Sequence, residues 1–208
     1  MRTASPDTLP RVLAPTLLEA GLARFALGSI PVERTGVALR RGRYGELSGT
    51  AVLCGLAGGL VPTLKPGDVV VPEEIGLPDG TRMRCDPTWV HLLLRAAAEL
   101  GFDVEAGPLL TAPSIVTGDA RAHWAARGYV AADMEAGLLA GQGRRMATIR
   151  VILDTPARSL DANWERPRRA LARPSLWREL AWLAYSAPRF SLRAARVVRQ
   201  ALEAGGCV

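Results

Sequence analysis

Residues 54–72 read Cys54-Gly-Leu-Ala-Gly-Gly-Leu-Val-Pro-Thr-Leu-Lys-Pro-Gly-Asp-Val-Val-Val-Pro72. The apolar run Ala51–Cys54 enters this stretch as a short buried strand. Gly55, Ala57, Gly58 and Gly59 follow as a glycine-rich bend, where a ligand can approach the backbone and N–H groups can bind anions or hydroxyls. Pro66 and Gly67 make a turn, and Asp68–Pro72 is a strand of β-branched residues. Toward the N-terminus, Arg11–Ala14 reads as a strand and Thr16 as the N-cap of a helix over Leu17–Leu27. Val32–Leu39 reads as a further strand, interrupted at Gly36. Toward the C-terminus the spacing predicts helices over Thr88–Leu100, Ala120–Ala126 and Met134–Gln142. It predicts strands over Leu109–Ala112, Ile115–Val116, Tyr129–Ala132 and Thr148–Leu153. This alternation is the pattern of an α/β protein.

After Asp154 the character changes. Pro156, Pro167, Pro174 and Pro188 punctuate the chain, and Trp164, Trp177 and Trp182 fall here. Two helices are expected, over Ser175–Tyr185 and Ser191–Ala204. The expected organisation is a core over residues 1–157 and a basic helical region over 158–208 packed on it, too short for a core of its own. The net charge of +6 belongs to this end: residues 1–143 carry 13 cations and 15 anions, and residues 144–208 carry 13 and 5. All cations but Lys65 are arginine, a usage that suggests a GC-rich coding sequence and not a function for each.

With 208 residues and 49% hydrophobic content, the chain can build a real core, which excludes a largely disordered protein. No apolar run reaches the roughly 18 residues of a membrane span. Cys54, Cys85 and Cys207 have no metal-binding spacing, and an odd, scattered set argues for a reducing compartment. Without an apolar signal core before Pro10, a cytoplasmic protein is expected.

Three further segments carry candidate chemistry. In Ala131-Ala-Asp-Met-Glu-Ala136 a strand end meets a helix; a carboxylate there can accept hydrogen bonds from two sugar hydroxyls at once, and a methionine can pack on a sugar face. The plainer reading of Asp133 and Glu135 is a favourable pair at a helix N-terminus. In Arg150-Val-Ile-Leu-Asp154 an acid ends an apolar strand, a place that faces ligands in open α/β sheets, or caps the turn at Thr155 and Pro156. In Ala14-Pro-Thr-Leu-Leu-Glu19 an acid sits in the first helical turn, where alone it reads as solvated.

Together these segments resemble the nucleoside phosphorylase and nucleosidase superfamily, whose members carry a Gly-Xaa-Ala-Gly-Gly run before a PGDVVVP-like strand, and a Met-Glu motif. The likeness runs from about Arg11 to Ala157, with a weaker match at Thr117-Gly-Asp119. It implies a three-layer fold with a central mixed β-sheet flanked by helices. It implies substrate binding by Met134, Glu135, Asp133, Arg150, Gly55, Ala57, Gly58 and Gly59. It makes Asp154 the purine contact and proton donor, since a purine leaves poorly unless protonated. It makes Glu19 the residue that activates water. No metal or cofactor is implied; water is the nucleophile, or phosphate in a phosphorylase. Cys54–Pro62 lacks the extra arginines of the phosphate-using members, which favours hydrolysis, while Arg34, Arg40 and Arg41 keep phosphorolysis open. Leu153 stands where the family often has serine.

Within the superfamily, the Gly-Leu-Ala-Gly-Gly-Leu run, the Pro-rich tail and the Arg-rich terminal helices are similar to hopanoid-associated nucleosidases. That implies release of adenine from adenosylhopane. Methylthioadenosine/adenosylhomocysteine nucleosidases and futalosine hydrolases are alternatives, and a non-enzymatic basic binding protein on a degenerate scaffold ranks last. Relatives imply a homodimer. The apolar residues Trp177, Leu180, Trp182, Leu183, Phe190, Leu192, Val197 and Val198, with Arg178, Arg189, Arg193, Arg196 and Arg199, allow peripheral contact with an anionic membrane; simple packing on the sheet is the favoured reading. No nucleic-acid module is present, and a nucleic-acid partner is not expected.

Overall fold

Gly55, Gly58 and Gly59 lie inside a strand, not a bend. The computed structural model describes residues 9–39, 49–143, 145–165, 170 and 172–207. In chain order its elements are β1 (Arg11–Ala14), α1 (Leu17–Leu27), β2 (Val32–Arg34), β3 (Ala51–Gly59), β4 (Val69–Val70), β5 (Glu74–Gly76), β6 (Arg82–Arg84), α2 (Pro87–Glu99), β7 (Val104–Glu105), β8 (Leu109–Thr111), α3 (Asp119–Ala125), β9 (Ala131–Asp133), α4 (Ala136–Ala140), β10 (Met146–Asp154) and α5 (Trp177–Ala204). Short 3₁₀ turns precede α5 and follow β2.

These ten strands form one mixed sheet in the order β6-β5-β8-β9-β3-β10-β4-β7, with β1 joined to β2 and β3. Helices flank it. β3 is its centre. β10 runs parallel along one side of β3. Along the other side, β1 pairs with Ala51–Leu53 and β9 pairs antiparallel with Gly58 and Gly59. Glycine has poor strand propensity, so the extended form is imposed by pairing with β10 at Gly55 and Gly58 and with β9 at Gly58 and Gly59.

The register between β3 and β10 shifts once. Ile152 pairs with Ala57 and Asp154 with Gly58, leaving Leu153 as the extra residue of a bulge. Bulges re-aim side chains next to functional sites, and this one sets the direction of Asp154.

Several boundaries differ from the sequence expectation. The strand from Val32 ends at Arg34, and Val37–Leu39 is a 3₁₀ turn in which Ala38 has φ 52°. Ile115 and Val116 are not in a strand. The hairpin of β5 and β6 turns at Gly80, with φ 91°; its strands of three residues are too short for an alternation signal. Helix α4 starts at Ala136, not Met134, because Met134 and Glu135 complete the turn out of β9.

The expected two terminal helices are one, with Pro188 inside it. An interior proline costs about 3 kcal/mol. The second half of α5 buries Val197, Val198 and Leu202 against the core shared by α1, α2, β3 and β10. Full burial of each is worth roughly 1.5–3 kcal/mol, enough to outweigh the proline. Two of the tail arginines help to dock the helix: Arg193 donates to the Gly67 carbonyl, and Arg199 donates to that of Ala26 at 3.3 Å. The first half of α5 leaves Trp177, Arg178, Tyr185 and Arg189 exposed. No helix among the described residues is long and apolar enough to cross a membrane.

Candidate active site

Glu19 is fixed by the start of α1. Thr16 caps the helix and accepts from the Glu19 N–H at 3.2 Å, while the Thr16 N–H donates to Glu19 Oε2 at 2.9 Å. This reciprocal box holds the carboxylate close to the end of β1. Its other oxygen, Oε1, accepts from the Leu56 N–H of β3 at 2.9 Å. Glu19 is therefore 5% exposed and is not the solvated helix residue that its position alone suggests. Each oxygen keeps a lone pair.

Gly55 is where three elements meet. A Cβ on Gly55 would lie 2.5 Å from Arg150 Nη1 and 2.6 Å from Glu19 Oε1. The missing side chain makes room for these groups, which is a stronger demand for glycine than a tight turn. Arg150, opposite Gly55 in the register, is completely buried. Its guanidinium donates to Asp133 Oδ2 and lies 3.6 Å from Glu135 Oε2. Burial opposes its charge, but Asp133, Glu135 and Glu19 more than offset this and hold its pKa above the ordinary arginine value.

Asp133 is engaged inward. Oδ1 accepts from Thr111 Oγ1 at 2.6 Å, and Oδ2 accepts from the Ala136 N–H at 3.0 Å as well as from Arg150. It ties β9, β8 and the start of α4 to Arg150. Glu135 is less committed. Oε1 accepts from the Ala38 N–H at 3.2 Å, so the left-handed Ala38 reaches across to it. Burial first, and then Asp133 and Glu19, push its pKa up to about 7, although Arg150 opposes the shift. Met134, between the two acids, is half-buried.

Asp154 ends β10 beside Gly58, where a Cβ would stand 3.0 Å from Oδ1. Its Oδ2 accepts from Arg121 and from the Leu160 N–H at 3.1 Å. Burial raises the Asp154 pKa even though Arg121 opposes it. Arg121, from α3, also donates to the Gly59 carbonyl at 2.6 Å and is 3% exposed. It was not among the residues expected from sequence, and Thr117-Gly-Asp119 just before it is the one signal nearby. Ala57 is buried and pairs with Ile152. Cys54 stays a neutral thiol: burial, and then Glu19, push its pKa up to about 12. Arg40 and Arg41 lie outside the described residues. Among the described residues no three His, Cys, Asp or Glu are grouped to hold a metal ion.

Residues 45–173 match the sequence profile of the phosphorylase superfamily. The chain belongs to that superfamily. No curated protein sequence matches it. Among solved structures, this phosphorylase-superfamily chain is similar to futalosine hydrolase of Helicobacter pylori, with a TM-score of 0.69 and 14% identity over 93% of this chain and 96% of that one. It is also similar to 5′-methylthioadenosine/S-adenosylhomocysteine nucleosidase from Neisseria meningitidis in complex with methylthio-immucillin-A, with a TM-score of 0.70 and 16% identity over 93% and 98%. At such identities the likeness is one of fold: a mixed sheet flanked by helices and closed by a C-terminal helix.

Proposed function

We propose that the protein is a hydrolytic N-glycosidase that cleaves the purine–ribose bond of a 5′-modified nucleoside. Adenosylhopane, releasing adenine, is the substrate that the sequence resemblance favours. The observation that carries the reading is the placing of three buried acids along β3. Glu19 and Glu135 gather around Arg150 at Gly55, and Asp154 stands at Gly58. Similar solved structures, one named as a futalosine hydrolase and one as a nucleosidase, support it.

In this mechanism Asp154 gives a proton to N7 of the base, which turns the purine into a better leaving group. The C1′–N9 bond breaks and its electron pair goes to the base. Glu135 accepts from the ribose hydroxyls and favours the positive charge developing on the sugar. Glu19 takes a proton from water as the water oxygen bonds to C1′. A negative carboxylate beside C1′ suits water better than phosphate. A lipid-borne 5′ group would place the substrate at a bilayer, and Trp177, Arg178, Tyr185 and Arg189 are exposed residues of α5 suited to meet one.

The test is incubation with adenosylhopane, methylthioadenosine and futalosine, with and without phosphate, and identification of the products. Free base and free sugar at the same rate without phosphate are expected, fastest from adenosylhopane. A sugar 1-phosphate formed only with phosphate would establish a phosphorylase, and no base from any of the three would overturn the reading.

The titration of Glu135 gives a second expectation. Only the ionised carboxylate accepts from both ribose hydroxyls with full strength. With a pKa of about 7 in the free protein, the ionised fraction rises about tenfold between pH 6 and pH 8. The Kd of a non-hydrolysed nucleoside analogue should fall by that factor over the range, and Glu135→Gln should flatten the profile. A pH-independent Kd in the wild type would show that Glu135 does not hold the ribose.

A further inference from the structure

The Arg121–Asp154 pair is the buried ion pair of this site that no sequence motif announced. Arg121 is a fork: one nitrogen donates to the Gly59 carbonyl of β3, the other to Asp154 Oδ2. The Leu160 N–H donates to the same Oδ2 at 3.1 Å. A carboxylate oxygen has two lone pairs in the carboxyl plane, so both on Oδ2 are taken. Oδ1 has neither donor and stands over Gly58. Any proton on this carboxyl therefore resides on Oδ1. The side chain of Leu153, the extra residue of the bulge, has no donor with which to orient its neighbour.

We propose that Arg121 is a positioning residue that, with the Leu160 N–H, locks Oδ2 of Asp154 and so confines the transferable proton to Oδ1. This rests on the N-glycosidase reading and deepens it. The proton leaves Oδ1 for the base, the carboxylate left behind is held by the guanidinium, and Arg121 itself neither gains nor loses a proton. Among the described residues, the ion pair of Asp154 is with Arg121 from α3; β3 and residue 160 face it with neutral backbone. The guanidinium also favours the ionised form of Asp154, so its removal should make the carboxyl hold its proton to higher pH.

The test compares wild type, Arg121→Met and Arg121→Lys on whichever of adenosylhopane, methylthioadenosine and futalosine the wild type hydrolyses, with thermal melts to check folding. A proton donor must be protonated to react, so the rate falls as pH rises through its pKa. Arg121→Met should lower kcat about a hundredfold, as expected when a reacting group is misplaced by about 1 Å. Its KM should change less than threefold, and the alkaline limb of kcat should move up in pH. Arg121→Lys keeps the charge but cannot reach both acceptors with a planar fork. It should lower kcat with the limb close to wild type, and it carries the test if the methionine variant does not fold. A folded Arg121→Met with unchanged kcat and pH profile, or an Arg121→Lys with wild-type kcat, would overturn the proposal. An effect confined to KM would also overturn it, because Arg121 would then be binding the base. If the wild type releases no base from any of the three nucleosides, the glycosidase reading fails instead.

Discussion

Asp154→Asn should abolish base release almost completely while leaving the protein folded. A positioned general acid contributes roughly 10²–10⁴-fold to a rate, and the expected fall in kcat is of that size. The asparagine carbonyl can take the place of Oδ2, still accepting from Arg121 and the Leu160 N–H. Its amide then occupies the Oδ1 position and can donate a hydrogen bond to N7, but it cannot give up a proton. KM should therefore change little. Folding should tolerate the change because the Asp154 pKa is raised in the native protein: burial disfavours its charge more than Arg121 favours it, so a neutral residue relieves part of that penalty. Against this, Arg121 loses its counter-charge, and a melt lower by several degrees is expected. Base release measured well below the melt decides the matter. Undiminished release would remove Asp154 from the chemistry and the proposed mechanism with it.

Much of the frame is legible in the sequence because its signals are local. The strand Arg11–Ala14, the Thr16 cap and the helix Leu17–Leu27 have the bounds expected for them, since a proline, a capping threonine and an apolar run each act within a few residues. The burial of Glu19 is not among these signals: its place in the first turn reads as solvated, and the Leu56 N–H of β3 draws it inward. What is not legible depends on neighbours distant in the chain. Gly55–Gly59 carries every composition signal of a bend, but β10 along one side, and β9 at Gly58 and Gly59 on the other, hold it extended. The space above its glycines is filled by Glu19 from α1 and by Arg150 and Asp154 from β10, far from them in the chain.

The two buried arginines show the same limit from opposite sides. Arg150 lies in the apolar strand Met146–Asp154, where a charge must have a partner because an isolated buried charge is too costly; the strand thus announces a counter-ion without saying which. Arg121 lies in a short helix with His123, Trp124 and Arg127 around it, a mixture that reads as surface. Its burial follows from the pairing of β9 with Gly58 and Gly59, which carries the segment before β9 over the end of β3. The terminal helix makes the same point about proline. Pro188 signals a break, and packing of the residues after it overrides the signal.

Arg150→Met should be the most destabilising single change in the site, and its cost should depend on pH. Arg150 is fully buried and faces Asp133, Glu135 and Glu19. Removing one partner of a buried ionic network leaves uncompensated charge and costs about 3–5 kcal/mol. For a domain of this size that is a loss of roughly 6–20 °C in Tm. Without the guanidinium, Glu135 loses the group that favours its ionised form, so its pKa rises. For Glu135 the native value is already raised to about 7 by burial, and the variant should raise it further. A carboxyl whose folded pKa exceeds its unfolded value stabilises the fold below the unfolded pKa, and that stabilisation is lost as pH rises through the folded pKa. The destabilisation of Arg150→Met relative to wild type should thus be much smaller at pH 5 than at pH 8. Thermal melts of both proteins at the two pH values provide the check. An equal loss at both would mean that the methionine variant fails by lost packing alone, and that the three acids are not held together by the charge of Arg150.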